Sequence, residues 1–266
     1  MIESQTLIAN LYNQIRDGDE QRPMERWHAS SIAQCPRAQY FGRLGIQRTR
    51  QPGAGMVLRW KAGHLIEEVI RPYLKHDFPD LQSNIRFESA VLDLTGELDN
   101  YSQSEKAIIE IKSVSGHAVK YRRVGDDRHH LRDEKQYLHH EYQQACYVKL
   151  LREKNLPVEQ IVYLYITLDG LLVPYVTPLG EEALEFVEYR LERLNEFWLN
   201  QQVPPCQCQD ETSALYKPVM QYCDYSQEGK DCCDPGVLSL LDANKLDANK
   251  LDANKLESLN VSQNSV

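Results

Sequence analysis

No apolar run in this chain approaches the roughly 20 residues that cross a bilayer, and Met1 to Asp17 has neither the basic start nor the apolar stretch of a secretory signal. No membrane span is therefore expected, and the expected compartment is the cytoplasm. Without an export signal, the seven cysteines are a poor fit to a disulfide framework, because a reducing compartment does not sustain one. Ligation of a metal or cluster becomes the alternative. Acidic residues are missing altogether from Arg26 to Ile66, where Arg26, Arg37, Arg43, Arg48, Arg50, Arg59 and Lys61 supply seven positive charges. The net charge of −9 argues against non-specific coating of nucleic acid, but phosphate contacts need only local positive charge. A second basic stretch holds Lys120, Arg122, Arg123, Arg128 and Arg132.

What is present suits one sizeable domain and a tail: 266 residues, 42% of them hydrophobic. The domain is expected over 1–236. In the tail, 237–266, Leu-Asp-Ala-Asn-Lys occurs three times, from Leu241, Leu246 and Leu251. A five-residue period would make the leucines spiral around a helix without forming a stripe, so the tail is expected to be disordered and to have no catalytic role.

Along the domain, Leu7, Ile8, Leu11, Tyr12 and Ile15 form a helical stripe within Ile2 to Ile15, and Ser30 and Ser31 are candidate caps for a short helix through Tyr40 and Phe41. A longer helix is expected from Met56 to Leu74. From Phe87 the period becomes two, placing Asp99 on the polar face of a strand; Ala107 to Val114 returns as its hairpin partner, with Glu110 and Lys112 on one face and Ile109 and Ile111 in the core. Residues Asp133 to Lys154 read as a helix, on which Gln143 and Tyr147 lie four apart and so on one side. Strands Ile161–Ile166 and Leu171–Val176 flank Asp169-Gly170, a hairpin signal, and an amphipathic helix follows from Glu181 to Trp198. This order implies an α/β fold, a central mixed sheet flanked by helices.

Asp99 in Gly-x-x-Asp, Glu110 and Lys112 in Glu-x-Lys, and Gln143 and Tyr147 in Gln-x-x-x-Tyr form an ordered polar set. Two carboxylates on a hairpin suit Mg2+ or Mn2+, which prefer oxygen ligands. Phosphodiester cleavage needs such a cation and relief of charge on the leaving group. Asp99 and Glu110 are thus the candidate metal ligands, the backbone carbonyl of Ile111 a third, and Lys112 the group that orients or activates the water and offsets charge.

These motifs resemble the PD-(D/E)xK nuclease superfamily, and within it the RecB-like branch, over roughly Ser30 to Asp234. The resemblance implies a restriction-endonuclease-like core, a divalent metal at the acidic pair, DNA as substrate, and a supporting role for Gln143 and Tyr147. Related proteins often carry a metal-binding His on the preceding helix; Glu67 holds that position here, while His64 is three residues away. A subset of the branch, including the CRISPR-associated exonucleases of spacer acquisition, holds a 4Fe-4S cluster with one Cys before the core and three after it. That arrangement implies Cys35, Cys208, Cys223 and Cys232 as ligands, with Cys206 and Cys233 as close substitutes; spacing alone leaves zinc open as the alternative. Cys146 lies in an apolar helical stretch and belongs to the core.

The resulting expectation is a metal-dependent DNA exonuclease on single-stranded or frayed ends, acting in CRISPR spacer acquisition with integration proteins as partners. The alternatives are a stand-alone phage or mobile-element recombination or repair nuclease, and a non-catalytic DNA-binding scaffold. The acid-free stretch would line the DNA path, with Tyr40, Phe41 and Trp60 stacking on bases. A homo-oligomer is compatible with the sequence.

Overall fold

In the computed structural model of the chain, the described residues are 10–15, 24–46, 48, 52–114, 138–167, 170, 172–178 and 180–207. Arg50, the second basic stretch, residues 133–137, Asp169, Cys208, Cys223, Cys232, Cys233 and the repeat tail lie outside them. Of the opening stripe, residues 10–15 are helical.

Six strands make one mixed sheet in the order β1-β3-β4-β5-β6, with β2 also on β3. They are β1 (Trp27–His28), β2 (Gln82–Ser89), β3 (Leu94–Ser102), β4 (Ala107–Val114), β5 (Gln160–Thr167) and β6 (Leu172–Thr177). β4 and β5, at the centre, pair in parallel along their whole length. Their apolar runs fit strands covered on both faces, and residues 107–111 are all buried. This corrects the sequence expectation for β4: alternation suggests a polar face for Glu110, whereas Glu110 is completely buried.

The strand expected from Phe87 onward is two strands. Asp93 takes a left-handed backbone (φ 51°), and the Ser89 hydroxyl accepts the Leu92 N–H at 2.9 Å, closing a turn between β2 and β3. The alternation of Leu92, Leu94 and Leu98 runs straight through that turn, so a period of two cannot locate it.

β3 and β4 form the expected hairpin only at its closed end. Their ladder consists of Tyr101↔Ile108 and Ser102↔Ala107; at its other end β3 pairs in parallel with β1, through Trp27↔Leu94 and His28↔Thr95. Since β2 occupies the opposite edge of β3, β1 and β4 share one edge and diverge around a gap beside residues 96–100. The candidate site occupies this gap.

Among the described residues, four longer helices flank the sheet: α1 (Pro36–Arg43), α2 (Ala54–Asp77), α3 (Leu138–Glu153) and α4 (Glu181–Leu199). α1 starts after Cys35, whose side chain makes no capping hydrogen bond, with Pro36 at the first helical position, where the missing N–H costs nothing. Ser31 does not cap it; its hydroxyl donates to the His28 carbonyl. α2 runs beyond both expected ends and contains Pro72. α4 buries Ala183, Val187, Leu191 and Leu194, a helical stripe, and packs on α3. At its end Trp198 meets Trp27 edge-on, and the Arg43 guanidinium lies 4.5 Å and 4.2 Å from the centres of these two rings.

Candidate active site in the gap between two strands

Where the β3–β4 ladder stops, side chains take over the backbone groups it would have paired. Buried groups of this kind must find partners. The Asn100 amide donates to the Ile109 carbonyl at 3.1 Å, the Ile111 N–H donates to Asp99 Oδ2 at 3.3 Å, and the Tyr147 hydroxyl donates to the Glu97 carbonyl at 2.7 Å. Asp99 is thereby drawn toward β4 although the two are not in register. N–H and C=O of one strand residue point to the same edge, so the Ile111 carbonyl is directed at the gap as well.

Glu110 and Lys112 lie on β4 two residues apart and form an ion pair. The second Glu110 oxygen, Oε2, is buried and has no hydrogen-bond partner among the described residues. From Lys112 a chain leads across to α3: Nζ donates to Gln143 Oε1 at 3.4 Å, and Gln143 Nε2 donates to the Tyr147 hydroxyl at 3.0 Å. The Gln-x-x-x-Tyr spacing thus puts both side chains on one helix face, as expected, and links the lysine to the Glu97 carbonyl.

Electrostatics of the group follow from burial and like charge. The Asp99 carboxyl is pushed up to about 8, first by burial, then by Glu110, with Glu67 adding and Lys112 and the Ile111 N–H opposing. Burial pulls Lys112 down, but Glu110 and Asp99 more than offset it, holding the ammonium above its ordinary value. Lys112 thus stands as an ammonium between the two acids of the metal-free fold.

Glu67, on α2, is close enough to act on Asp99 and Lys112 through its charge, and His64 Nδ1 stands 3.5 Å from its carboxylate. Among the described residues, no three His, Cys, Asp or Glu side chains are grouped tightly enough to hold a metal ion by themselves. Asp99, Glu110, Lys112, Gln143 and Tyr147 come together; Glu67 stands at the margin. The donor chemistry nevertheless fits a hard divalent cation: two carboxyls close enough to raise one another, a buried carboxylate oxygen without a partner among the described residues, and a backbone carbonyl facing the same gap.

Two residues that sequence reasoning missed build the site. Asn100 clamps the gap, and Gly96 clears it: a Cβ there would sit 2.7 Å from Tyr147 Cε1. The Gly in Gly-x-x-Asp carried that signal, since a strand glycine marks close approach of another group.

The other expectations divide. Tyr40 and Phe41 are buried in the core, which removes them as base-stacking residues; Trp60 is exposed. Arg26 and Arg43 pair with Asp93, and Arg37 Nε donates to the Pro204 carbonyl, so these three charges serve the fold. Arg59 and Lys61 are exposed. Cys35 and Cys206 lie side by side: their hydrogen bond is the first cause of a Cys35 thiol lowered to about 6, opposed by burial and aided by the N–H groups of Gln207, Ala38 and Arg37. Cys146 is fully buried in α3, as expected.

The sequence matches no protein-family model and no curated protein. Among solved structures, the chain resembles a phage-related exonuclease from Haemophilus somnus 129PT, at a TM-score of 0.50 and 12% identity, over 66% of this chain and 94% of that one. Two structures of LHK-Exo, an alkaline exonuclease from Laribacter hongkongensis, are also similar. One covers 71% of this chain and 93% of its own at 9% identity and a TM-score of 0.47. The other, in complex with dAMP, covers 67% and 90% at 11% identity and a TM-score of 0.47. The likeness to the Haemophilus protein shows a shared fold, a mixed sheet flanked by helices.

Proposed function

We propose that the chain is a metal-dependent DNA nuclease, an exonuclease of the stand-alone phage or mobile-element kind. The observation that carries this reading is the meeting of Asp99 and Glu110 across the open end of the β3–β4 hairpin, with Lys112 on Glu110 and tied through Gln143 to Tyr147. Likeness in fold to a phage-related exonuclease supports attack from DNA ends, and it favours the stand-alone role over spacer acquisition. A non-catalytic scaffold is disfavoured because burying Glu110 and raising Asp99 both cost stability that DNA binding alone does not require.

In this reading Asp99, Glu110 and the Ile111 carbonyl hold Mg2+ or Mn2+, with Glu67 at the margin of the site. When bound, the cation polarises a phosphoryl oxygen and lowers the pKa of a bound water. Lys112 contributes a permanent positive charge where the phosphorane-like transition state and leaving oxygen carry negative charge. Gln143 and Tyr147 fix the direction of that ammonium, and Asn100 bridges the two strands across the gap. Cys35 and Cys206, paired thiols at the start of α1, suit a soft metal centre completed by the later cysteines. A 4Fe-4S cluster is the preferred occupant, and a brown, iron-containing anaerobic preparation is expected; a colourless, zinc-containing one overturns it.

The test is digestion of end-labelled single-stranded and duplex DNA by the full chain with Mn2+. Asp99→Asn mimics the protonated carboxyl, so it should fold as the parent does and lose at least about 100-fold in rate. Full activity in that variant refutes the site, and cleavage of closed circular DNA refutes attack from ends.

A further inference from the structure

α2 is 24 residues long, yet Val57 is its one buried residue. Its inner side meets the sheet at β4, where Gly63 abuts Ser113. Its outer side carries Leu58, Leu65, Val69 and Tyr73, which are 45%, 61%, 64% and 70% exposed. Large apolar side chains scattered singly on a surface are ordinary, whereas a contiguous row of them marks an interaction surface.

The spacing along this row is that of a seam between helices. Leu58, Ala62, Leu65 and Val69 follow one another at intervals of four, three and four, the alternation of a and d positions in a heptad. Lys61 and Glu68 stand seven apart at the position flanking the seam, and both are exposed. When this helix is laid antiparallel on a copy of itself, Ala62 faces Leu65 and Leu58 faces Val69, so each small or branched residue meets a larger one. In the same register Lys61 of each copy meets Glu68 of the other, giving two equivalent ion pairs. A parallel pair would stack Ala62 on Ala62, leaving a void, and would set Lys61 against Ile66 and Glu68 against Tyr73.

We propose that α2 is a homodimerisation helix, and that its partner is the α2 of a second copy packed antiparallel about a two-fold axis. Reciprocal contact, with residue i on j and j on i, is the requirement of a two-fold interface, and the Lys61 and Glu68 placement meets it. The inference is independent of the nuclease reading. Glu67 lies on the opposite side of α2 from the seam, so dimerisation leaves it facing the candidate site and restrains the helix that carries it. The seam is short, about two heptads, which makes concentration the first variable to scan.

Sedimentation velocity of the full chain from about 1 µM to about 100 µM should show monomer passing to dimer. Leu65→Glu, on the exposed side of the helix and so without effect on folding by circular dichroism, should weaken the dimer by about 100-fold or more, because two copies lose the contact. Val69→Lys should act in the same direction. Lys61→Glu alone and Glu68→Lys alone should each weaken association, and the double exchange should restore it. Monomer throughout the range overturns the proposal, as does a dimer indifferent to Leu65→Glu and Val69→Lys. A dimer sensitive to Leu65→Glu but without recovery in the double exchange overturns the antiparallel register.

Discussion

Replacing Gly96 with Ala tests how the site is built. A Cβ at this position would sit 2.7 Å from Tyr147 Cε1 and 2.9 Å from the Ala29 Cβ, where ordinary contacts are 3.4 to 4 Å. Something must move by the better part of an ångström. Ala29 is fixed in a short helical turn beside β1, so the Tyr147 ring is the element displaced. Forced overpacking costs about 1–3 kcal/mol, offset by about 0.4–1 kcal/mol from the stiffer unfolded chain. The net destabilisation is about 1–2 kcal/mol, or roughly 2–8 °C in melting temperature. The larger effect falls on the chemistry. Tyr147 carries the hydroxyl that binds the Glu97 carbonyl and receives Gln143, which in turn holds Lys112. A misplacement near 1 Å is enough to lower the rate about 100-fold. Thermal melts and digestion of end-labelled DNA measure the two effects. The decisive comparison is a double-mutant cycle with Tyr147→Leu: once the ring is gone, Ala at 96 should cost less, leaving a coupling of about 1 kcal/mol or more. Losses that add within about 0.5 kcal/mol would refute the clash as the cause.

Three further outcomes are expected. Because burial raises the Asp99 carboxyl to about 8, this group holds a proton in the metal-free fold that the unfolded chain releases near pH 4; its contribution to stability is full below about pH 4, declines above that, and is gone once pH has risen through about 8. Added Mn2+ should therefore raise the melting temperature more at pH 8.5 than at pH 6, and an equal rise at both refutes the assignment. Lys112→Ala should destabilise by about 3–5 kcal/mol by stranding buried Glu110; adding Glu110→Gln should recover stability in urea melts while activity stays absent. Arg43→Lys should lose about 1–3 kcal/mol, since a compact ammonium cannot replace the broad guanidinium that reaches Trp27, Trp198 and Asp93 at once. A drop in DNA affinity at unchanged stability would return Arg43 to the DNA path.

β4 and the longer helices are legible in the sequence because each carries its own period over many residues, and β5 and β6 because the Asp-Gly pair marks the turn between them. The sequence also singled out Asp99, Glu110, Lys112, Gln143 and Tyr147 as candidates that the fold brings together, because their spacing along single elements is a local property. The gap was not legible. It depends on β1, a strand of two residues that joins β3 from 67 positions away, and so short a strand leaves no periodic trace. Burial of Glu110 was hidden for a related reason: alternation reports a polar face only when that face meets water, and here α3 covers it. The acid-free stretch misled because a run of cations says nothing about which acid each will find; Asp93, outside the run, takes Arg26 and Arg43.

The opening of the hairpin also explains why Gln-x-x-x-Tyr accompanies the acids. A complete β3–β4 ladder would consume the Ile111 N–H and carbonyl and would hold Asp99 and Glu110 in a fixed register with no room for a cation between the strands. Opening the ladder frees these groups but leaves backbone donors and acceptors unpaired in a dry setting, at about 1–3 kcal/mol each. Asn100 takes the Ile109 carbonyl, Asp99 the Ile111 N–H and Tyr147 the Glu97 carbonyl. The tyrosine is thus first a substitute for a missing rung of the ladder. Its second function, fixing Lys112 through Gln143, comes from the helical spacing that places the amide between the hydroxyl and the ammonium. Strand opening, acid pairing and lysine orientation therefore stand or fall together, which is why a single methyl group at Gly96 is expected to reach all three.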